Sequence, residues 1–177
     1  MISRRDLYRY LTMGLGGAIG FVLGAPGIAY LLDPILRRVS GGGGFVPLAR
    51  LGELEVGVPR SFPVIRARRD AWVKYPPEPI GSVWLVRQPG EGAKTPVVAF
   101  TSECPHLGCA INLEADGKAF LCPCHTSKFA LDGKPMNPVP PRGMDSLEVK
   151  LSSDSDPKIS VRFERFRTMS REKTPLV

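Results

Sequence analysis

The sequence predicts a mainly β head carried behind one membrane-spanning helix, on three observations. Leu147, Val149 and Leu151 alternate with Ser146, Glu148 and Lys150, and Ile159, Val161 and Phe163 alternate with Ser160, Arg162 and Glu164. A period of two is that of a half-buried strand, and "SSDSDP" between the two runs reads as a hairpin loop. No stretch after residue 45 keeps a long amphipathic helical period, and no internal repeat is found. Leu11 to Leu32, by contrast, is a run of 22 residues without a charge.

As a helix that run would extend about 33 Å, enough to cross a hydrocarbon core of roughly 30 Å. Arg4, Arg5 and Arg9 precede it. The positive-inside bias therefore places the amino terminus in the cytoplasm and the head outside, although Arg37 and Arg38 weaken the asymmetry. "SRRDLY" at Ser3–Tyr8 resembles a twin-arginine export signal, a route suited to folded cargo; two arginines flanking an ordinary membrane helix are the alternative. Gly27-Ile28-Ala29 imitates a cleavage site only weakly, so an uncleaved single-pass anchor is expected. Gly16, Gly20 and Gly24 line one helix face, where another membrane helix could approach.

The expected organisation is a signal and anchor over residues 1–39, a glycine hinge over 40–44 and a folded domain over 45–177. "SGGGGF" has nothing to pack and loses the most entropy on ordering, which suits a flexible tether. Such a tether spans only about 12 Å, so the head would pivot on it rather than diffuse.

Within the head, 83–87, 96–101 and 119–121 are further strand candidates, and the prolines at 76, 77, 79, 135, 138, 140 and 141 mark loops. The formal net charge is +7, but the part from Phe45 onward carries only +4. There is no basic stripe with interleaved aromatics, so no nucleic-acid partner is expected. Arg162, Arg165, Arg167 and Arg171 read as a solvated edge and tail.

The chemistry is concentrated in "CPHLGC" (Cys104–Cys109) and "CPCH" (Cys122–His125), a 22-residue window holding all four cysteines and both histidines. Zinc needs four ligands in two close pairs, and six candidates are too many. Two simple disulfides would leave both histidines without a role. A 2Fe-2S cluster with two cysteines on one iron and two histidines on the other uses four of the six groups.

"CPHLGC" and "CPCHTS" resemble the two ligand boxes of Rieske iron-sulfur proteins, C-x-H-x-G-C and C-x-C-H-x-S, in order, spacing and both extra cysteines. With the anchor and tether, the whole chain resembles the Rieske subunit of cytochrome bc-type quinol:cytochrome c oxidoreductases. The resemblance implies an antiparallel β-sandwich head with a smaller cluster-binding β subdomain over about 101–145. It implies one 2Fe-2S cluster, with Cys104 and Cys122 on the inner iron and His106 and His125 on the outer iron, and a disulfide between Cys109 and Cys124. "NPVPPRGM" at Asn137–Met144 resembles the family's proline-rich loop that covers the cluster from a third side.

Implied as well are a cytochrome b subunit, a c-type cytochrome and a quinol at the subunit interface as partners. The setting would be the bacterial cytoplasmic membrane, with the head on the periplasmic or extracytoplasmic side. His125, ahead of His106, would meet the quinol, and the chain would be an enzyme as a subunit of the oxidoreductase. Four thiolates would leave an oxidised cluster doubly negative, whereas two thiolates and two neutral imidazoles leave it neutral and easier to reduce, one reason Rieske potentials lie at roughly −150 to +300 mV against about −400 mV for plant-type clusters.

By the same resemblance Ser127 would donate a hydrogen bond to a bridging sulfide. Phe129 stands where high-potential members carry a tyrosine that bonds a ligand sulfur, and Thr126 stands where glycine is frequent. Loss of the tyrosine donor implies an intermediate or low potential, better matched to menaquinol than to ubiquinol. Other readings are the Rieske small subunit of a periplasmic molybdenum oxidoreductase such as arsenite oxidase, or a non-redox zinc- or disulfide-stabilised binding module. Ferredoxins of ring-hydroxylating oxygenases lack the anchor and the extra cysteines.

Overall fold

In "SVWLV" and "VVAF" apolar residues follow one another without alternation, the pattern of strands buried on both faces. The computed structural model, which describes residues 3–36, 44–67, 69–70, 73–89 and 97–176, makes these two runs the centre of the head. Its strands are β1 (Phe45–Arg50), β2 (Arg60–Arg66), β3 (Arg69–Asp70), β4 (Val73–Lys74), β5 (Glu78–Arg87), β6 (Val97–Thr101), β7 (Asn112–Leu113), β8 (Ala119–Cys122), β9 (Ser127–Ala130), β10 (Ser146–Leu151) and β11 (Lys158–Arg162). The neighbour order β1-β11-β10-β6-β5-β2 forms a six-stranded antiparallel sheet, and β7-β8-β9 forms a separate three-stranded one. The larger sheet curls until its edge strands β1 and β2 come together, so the expected sandwich takes the form of one sheet closed over its own core.

Two cores result, and β5 and β6 serve both. Val83, Leu85, Val97 and Ala99 point into a core shared with Val64, Leu147, Ile159, Val161 and Phe163. The alternate residues Val86 and Phe100, with Trp84 and Val98 against them, face a second core of Cys104, Ile111, Phe120, Cys122, Phe129 and Met144. The small sheet and the cysteine boxes are thus packed on the back of the large sheet.

β1 and β2, which alternation does not reveal, are the edge strands and carry Pro47 and Pro63. Proline cannot donate to a ladder and is tolerated at an edge or a bulge; the register shifts between Pro47 and Ala49, and between Val64 and Ile65. Pro79, expected in a loop, lies instead at the start of β5 opposite Ile65, beside that second irregularity. The loop between β10 and β11 closes as expected, with the Lys158 N–H donating to Ser152 Oγ at 2.9 Å.

The carboxyl-terminal residues are not a loose tail. Residues 165–176 fold back on themselves, the Leu176 N–H donating to Arg165 O at 2.7 Å and the Arg167 N–H to Thr174 O at 2.9 Å. Phe166 is buried in the first core. Arg162, expected at an edge, lies half-buried on the interior strand β11 and pairs with Glu148, whereas Arg165 beyond the strand is exposed as expected and pairs with Glu103.

At the amino terminus, α1 spans Arg4–Leu36. The Asp6 N–H donates to Ser3 Oγ at 3.2 Å, which caps the first turn and starts the helix upstream of the charge-free run. It continues past Asp33 and Pro34. This is one helix long and apolar enough to cross a membrane, with a mean hydropathy of 1.8 over an 18-residue window. Of the glycine hinge, residues 40–43 lie outside the described residues.

Candidate metal centre

Each cysteine box is a turn at the end of a strand pair, which brings chemistry distant in sequence to one tip. The first follows β6. The Ile111 N–H donates to Ser102 O at 2.7 Å, and Glu103 bridges Ala110, making a short stem. Above it the Cys104 N–H donates to Cys109 O and the Gly108 N–H to Cys104 O, both at 2.8 Å. Gly108 has φ +80, a left-handed turn that glycine adopts without strain. The second box is the hairpin tip between β8 and β9. Cys122 and Ser127 are its last cross-strand pair, and Pro123, Cys124, His125 and Thr126 form the loop.

The two tips are joined by a disulfide between Cys109 and Cys124. Cys109, Cys122 and Cys124 sulfurs lie within 4.8 Å of one another, but the disulfide takes two of them out of use as ligands. The free cysteines, Cys104 and Cys122, are both buried. Against them stand His106, half-buried, and His125, exposed, their rings 4.8 Å apart between centroids and nearly perpendicular at 86°. The site is therefore layered, thiols inside and imidazoles outside, and Cys104, His106, Cys122 and His125 are the groups that could hold a metal cluster.

Burial pushes the Cys104 thiol up from its ordinary range, while the His106 backbone and the Ser127 hydroxyl pull the other way. Binding a metal there would displace the proton. Ser127 tests the fit of a cluster. It is 0 % exposed, yet its Oγ has no hydrogen-bond partner of normal geometry. An orphaned hydroxyl facing a cysteine sulfur suits an inorganic sulfide acceptor, since unpaired buried polar groups cost about 1–3 kcal/mol. Phe129 is fully buried in the second core and offers no donor.

The proline-rich loop meets the second box through Asn137 and the second core through Met144, and its other anchors are not evident from sequence. Arg142 donates two hydrogen bonds to the Asp145 carboxylate, at 2.8 and 2.7 Å, and others to the carbonyls of Arg167 and Ser170. Both side chains are largely buried. The pair therefore ties the loop to the carboxyl-terminal hairpin, whose Met169 N–H in turn donates to Pro105 O and His106 O at 3.0 and 3.1 Å. The only signal in the sequence was an opposite-charge pair three residues apart inside a proline loop.

Thr126 has φ +58. A β-branched residue in the left-handed region is an outlier, costing about 1–2 kcal/mol, and this explains why glycine suits the position. Two bonds hold the turn: Thr126 Oγ1 donates to His125 O at 2.6 Å, and Asn137 Nδ2 donates to Thr126 O at 2.7 Å.

A β domain whose tip carries buried thiols, outward imidazoles, a disulfide and an unsatisfied inner hydroxyl has the donor set of an iron-sulfur protein. The Rieske [2Fe-2S] domain matches residues 48–148. The chain belongs to the Rieske [2Fe-2S] family, and its cofactor is one 2Fe-2S cluster. It is 32 % identical over 143 residues to the menaquinol:cytochrome c reductase iron-sulfur subunit of Bacillus subtilis (strain 168), covering 79 % of this chain and 80 % of that protein. It is 27 % identical to the cytochrome b6-f complex iron-sulfur subunit of Synechococcus sp. (strain JA-2-3B'a(2-13)), over 87 % of this chain and 85 % of that one. A chain of a hyperthermophilic respiratory complex III aligns with 84 % of this chain and 98 % of its own length, at 21 % identity and a TM-score of 0.49.

Proposed function

We propose that Cys104 and Cys122 hold the inner iron, and His106 and His125 the outer iron, of the 2Fe-2S cluster in the electron-transfer subunit of a bc-type quinol:cytochrome c oxidoreductase. The observation that carries this reading is the layered tip, two buried free thiols beneath two imidazoles in loops pinned by one disulfide. When bound, the cluster supplies one-electron chemistry. The chain's own residues do the rest. The buried cysteines and the second core exclude water from the inner side, the Ser127 hydroxyl would donate to a sulfide of the bound cluster, and the disulfide fixes one loop on the other. His125 is the more exposed imidazole, so it is the one offered as a hydrogen-bond partner to a quinol held by a cytochrome b subunit.

The similarity to menaquinol:cytochrome c reductase subunits supports menaquinol as donor, and the missing donor at Phe129 supports a potential lowered to match. We further assign residues 1–39 to a signal and anchor, 40–44 to the hinge on which the head swings toward a c-type cytochrome, and 45–177 to the cluster-bearing domain outside the cytoplasmic membrane.

Isolation of the full chain from membranes tests the assignment. Cytochrome b should copurify, and the preparation should reduce a c-type cytochrome with menaquinol. Copurification with a molybdopterin subunit in place of cytochrome b would contradict it. A second expectation concerns Phe129→Tyr. The added hydroxyl should raise the midpoint potential by on the order of 60–130 mV, the equivalent for one electron of a hydrogen bond to a charged group. Potentiometric titration of both forms checks this, and an unchanged or lower value would contradict it.

A further inference from the structure

Thr126 holds a backbone conformation that its side chain disfavours, directly between His125 and Ser127, so something outside the hairpin loop must help to hold it there. The residue placed to do so is Asn137. Residues 134–137 run alongside β9: the Ala130 N–H donates to Lys134 O at 2.9 Å, Phe129 bridges Pro135, and the Met136 N–H donates to Lys128 O at 2.8 Å. Pro138 follows, which keeps the backbone of Asn137 extended. At that point the backbone pairing gives way to a side chain. Asn137 Oδ1 accepts from the Lys128 N–H at 3.3 Å, and its Nδ2 donates to Thr126 O at 2.7 Å. One carboxamide thus spans both flanks of Ser127, satisfying an N–H on one side and a carbonyl on the other.

We infer that Asn137 is a positioning residue for the cluster pocket: its carboxamide holds the left-handed turn at Thr126 and through it sets His125 and Ser127. The inference rests on the ligand assignment above. No other common side chain of this size does both jobs. Aspartate accepts from the Lys128 N–H but sets a carboxylate oxygen against the Thr126 carbonyl, and alanine leaves both groups without a partner. Glycine at 126 would remove the need, because it adopts positive φ without strain. The threonine and the asparagine are therefore coupled, and the effect of losing Asn137 depends on which residue occupies 126.

The test uses the chain in its native membranes, in five forms: unsubstituted, Asn137→Ala, Asn137→Asp, Thr126→Gly and the double variant Asn137→Ala/Thr126→Gly. The readouts are iron per chain under chelator challenge, and the electron paramagnetic resonance spectrum and midpoint potential of the cluster. Residues that orient metal ligands change metal affinity by about 10–100-fold. Asn137→Ala and Asn137→Asp should therefore lose iron about tenfold more readily and show displaced g-values, and Thr126→Gly should restore both in the double variant. If Asn137→Ala does not accumulate, recovery of a cluster-bearing chain in the double variant supports the inference and failure to recover it overturns it. Unshifted g-values and potential in Asn137→Ala, or a shift that Thr126→Gly leaves uncorrected, would overturn it too. An unsubstituted chain without a histidine-ligated cluster would instead remove the ligand assignment itself.

Discussion

Replacing Cys104 with alanine is expected to give a chain that folds, keeps the Cys109–Cys124 disulfide and contains no cluster. Cys104 is 1 % exposed and is one of the two free thiols in the described residues. Removing it takes a sulfur from the second core and leaves the first, built from Leu54, Val64, Val83, Leu85 and their neighbours, untouched. The stability cost should stay within the 0.5–3 kcal/mol usual for single substitutions. The cofactor cost is total, because the remaining cysteine and two histidines cannot complete the ligand set of a mixed-ligation cluster. Iron analysis and visible absorption check the loss, circular dichroism checks the fold, and quinol-dependent cytochrome c reduction should vanish. Iron at the level of the unsubstituted chain would contradict the expectation.

Arg142→Met is expected to cause a large loss of stability among single substitutions distant from the ligands. It leaves the Asp145 carboxylate, 4 % exposed on its side chain, without its bidentate partner, and it frees the carbonyls of Arg167 and Ser170. Breaking one side of a buried ion pair costs about 3–5 kcal/mol, whereas replacing both members with apolar groups is often neutral. Thermal unfolding should therefore show a lowered midpoint for Arg142→Met and substantial recovery in Arg142→Met/Asp145→Leu. Limited proteolysis should cut within residues 165–176 in the single variant first, since the arginine fastens that hairpin. Equal midpoints for the single variant and the unsubstituted chain would show that the pair carries no such weight.

What sequence could reveal here follows from the range of the interactions. The two boxes were legible because metal chemistry restricts ligands to a few residue types and a tight turn fixes their spacing. The strands at 147–151 and 159–163 were legible because one face of each is wet. β5 and β6 were recognisable as apolar runs, but their service to two cores was not, since an unbroken run does not say what covers each face. β1 and β2 were hidden by Pro47 and Pro63, tolerated because these strands are the sheet's edges, a fact of topology. The arginine-rich tail shows only its charge in the sequence. Its role against the first box depends on the Met169 N–H and on carbonyls accepting from Arg142, and backbone groups carry no signature in a sequence. Thr126 stands out in the sequence as a departure, but its explanation lies in φ +58 and the position of Asn137, eleven residues on.

The central claim is that two imidazoles and two thiolates of this tip jointly hold a di-iron cluster. Electron-nuclear double resonance of the reduced, full-length chain, grown with 15N-histidine, tests it directly. Two nitrogen couplings should appear on one cluster, assigned to His106 and His125. A cluster with sulfur couplings alone, or a chain that binds zinc and gives no paramagnetic signal, would contradict the account.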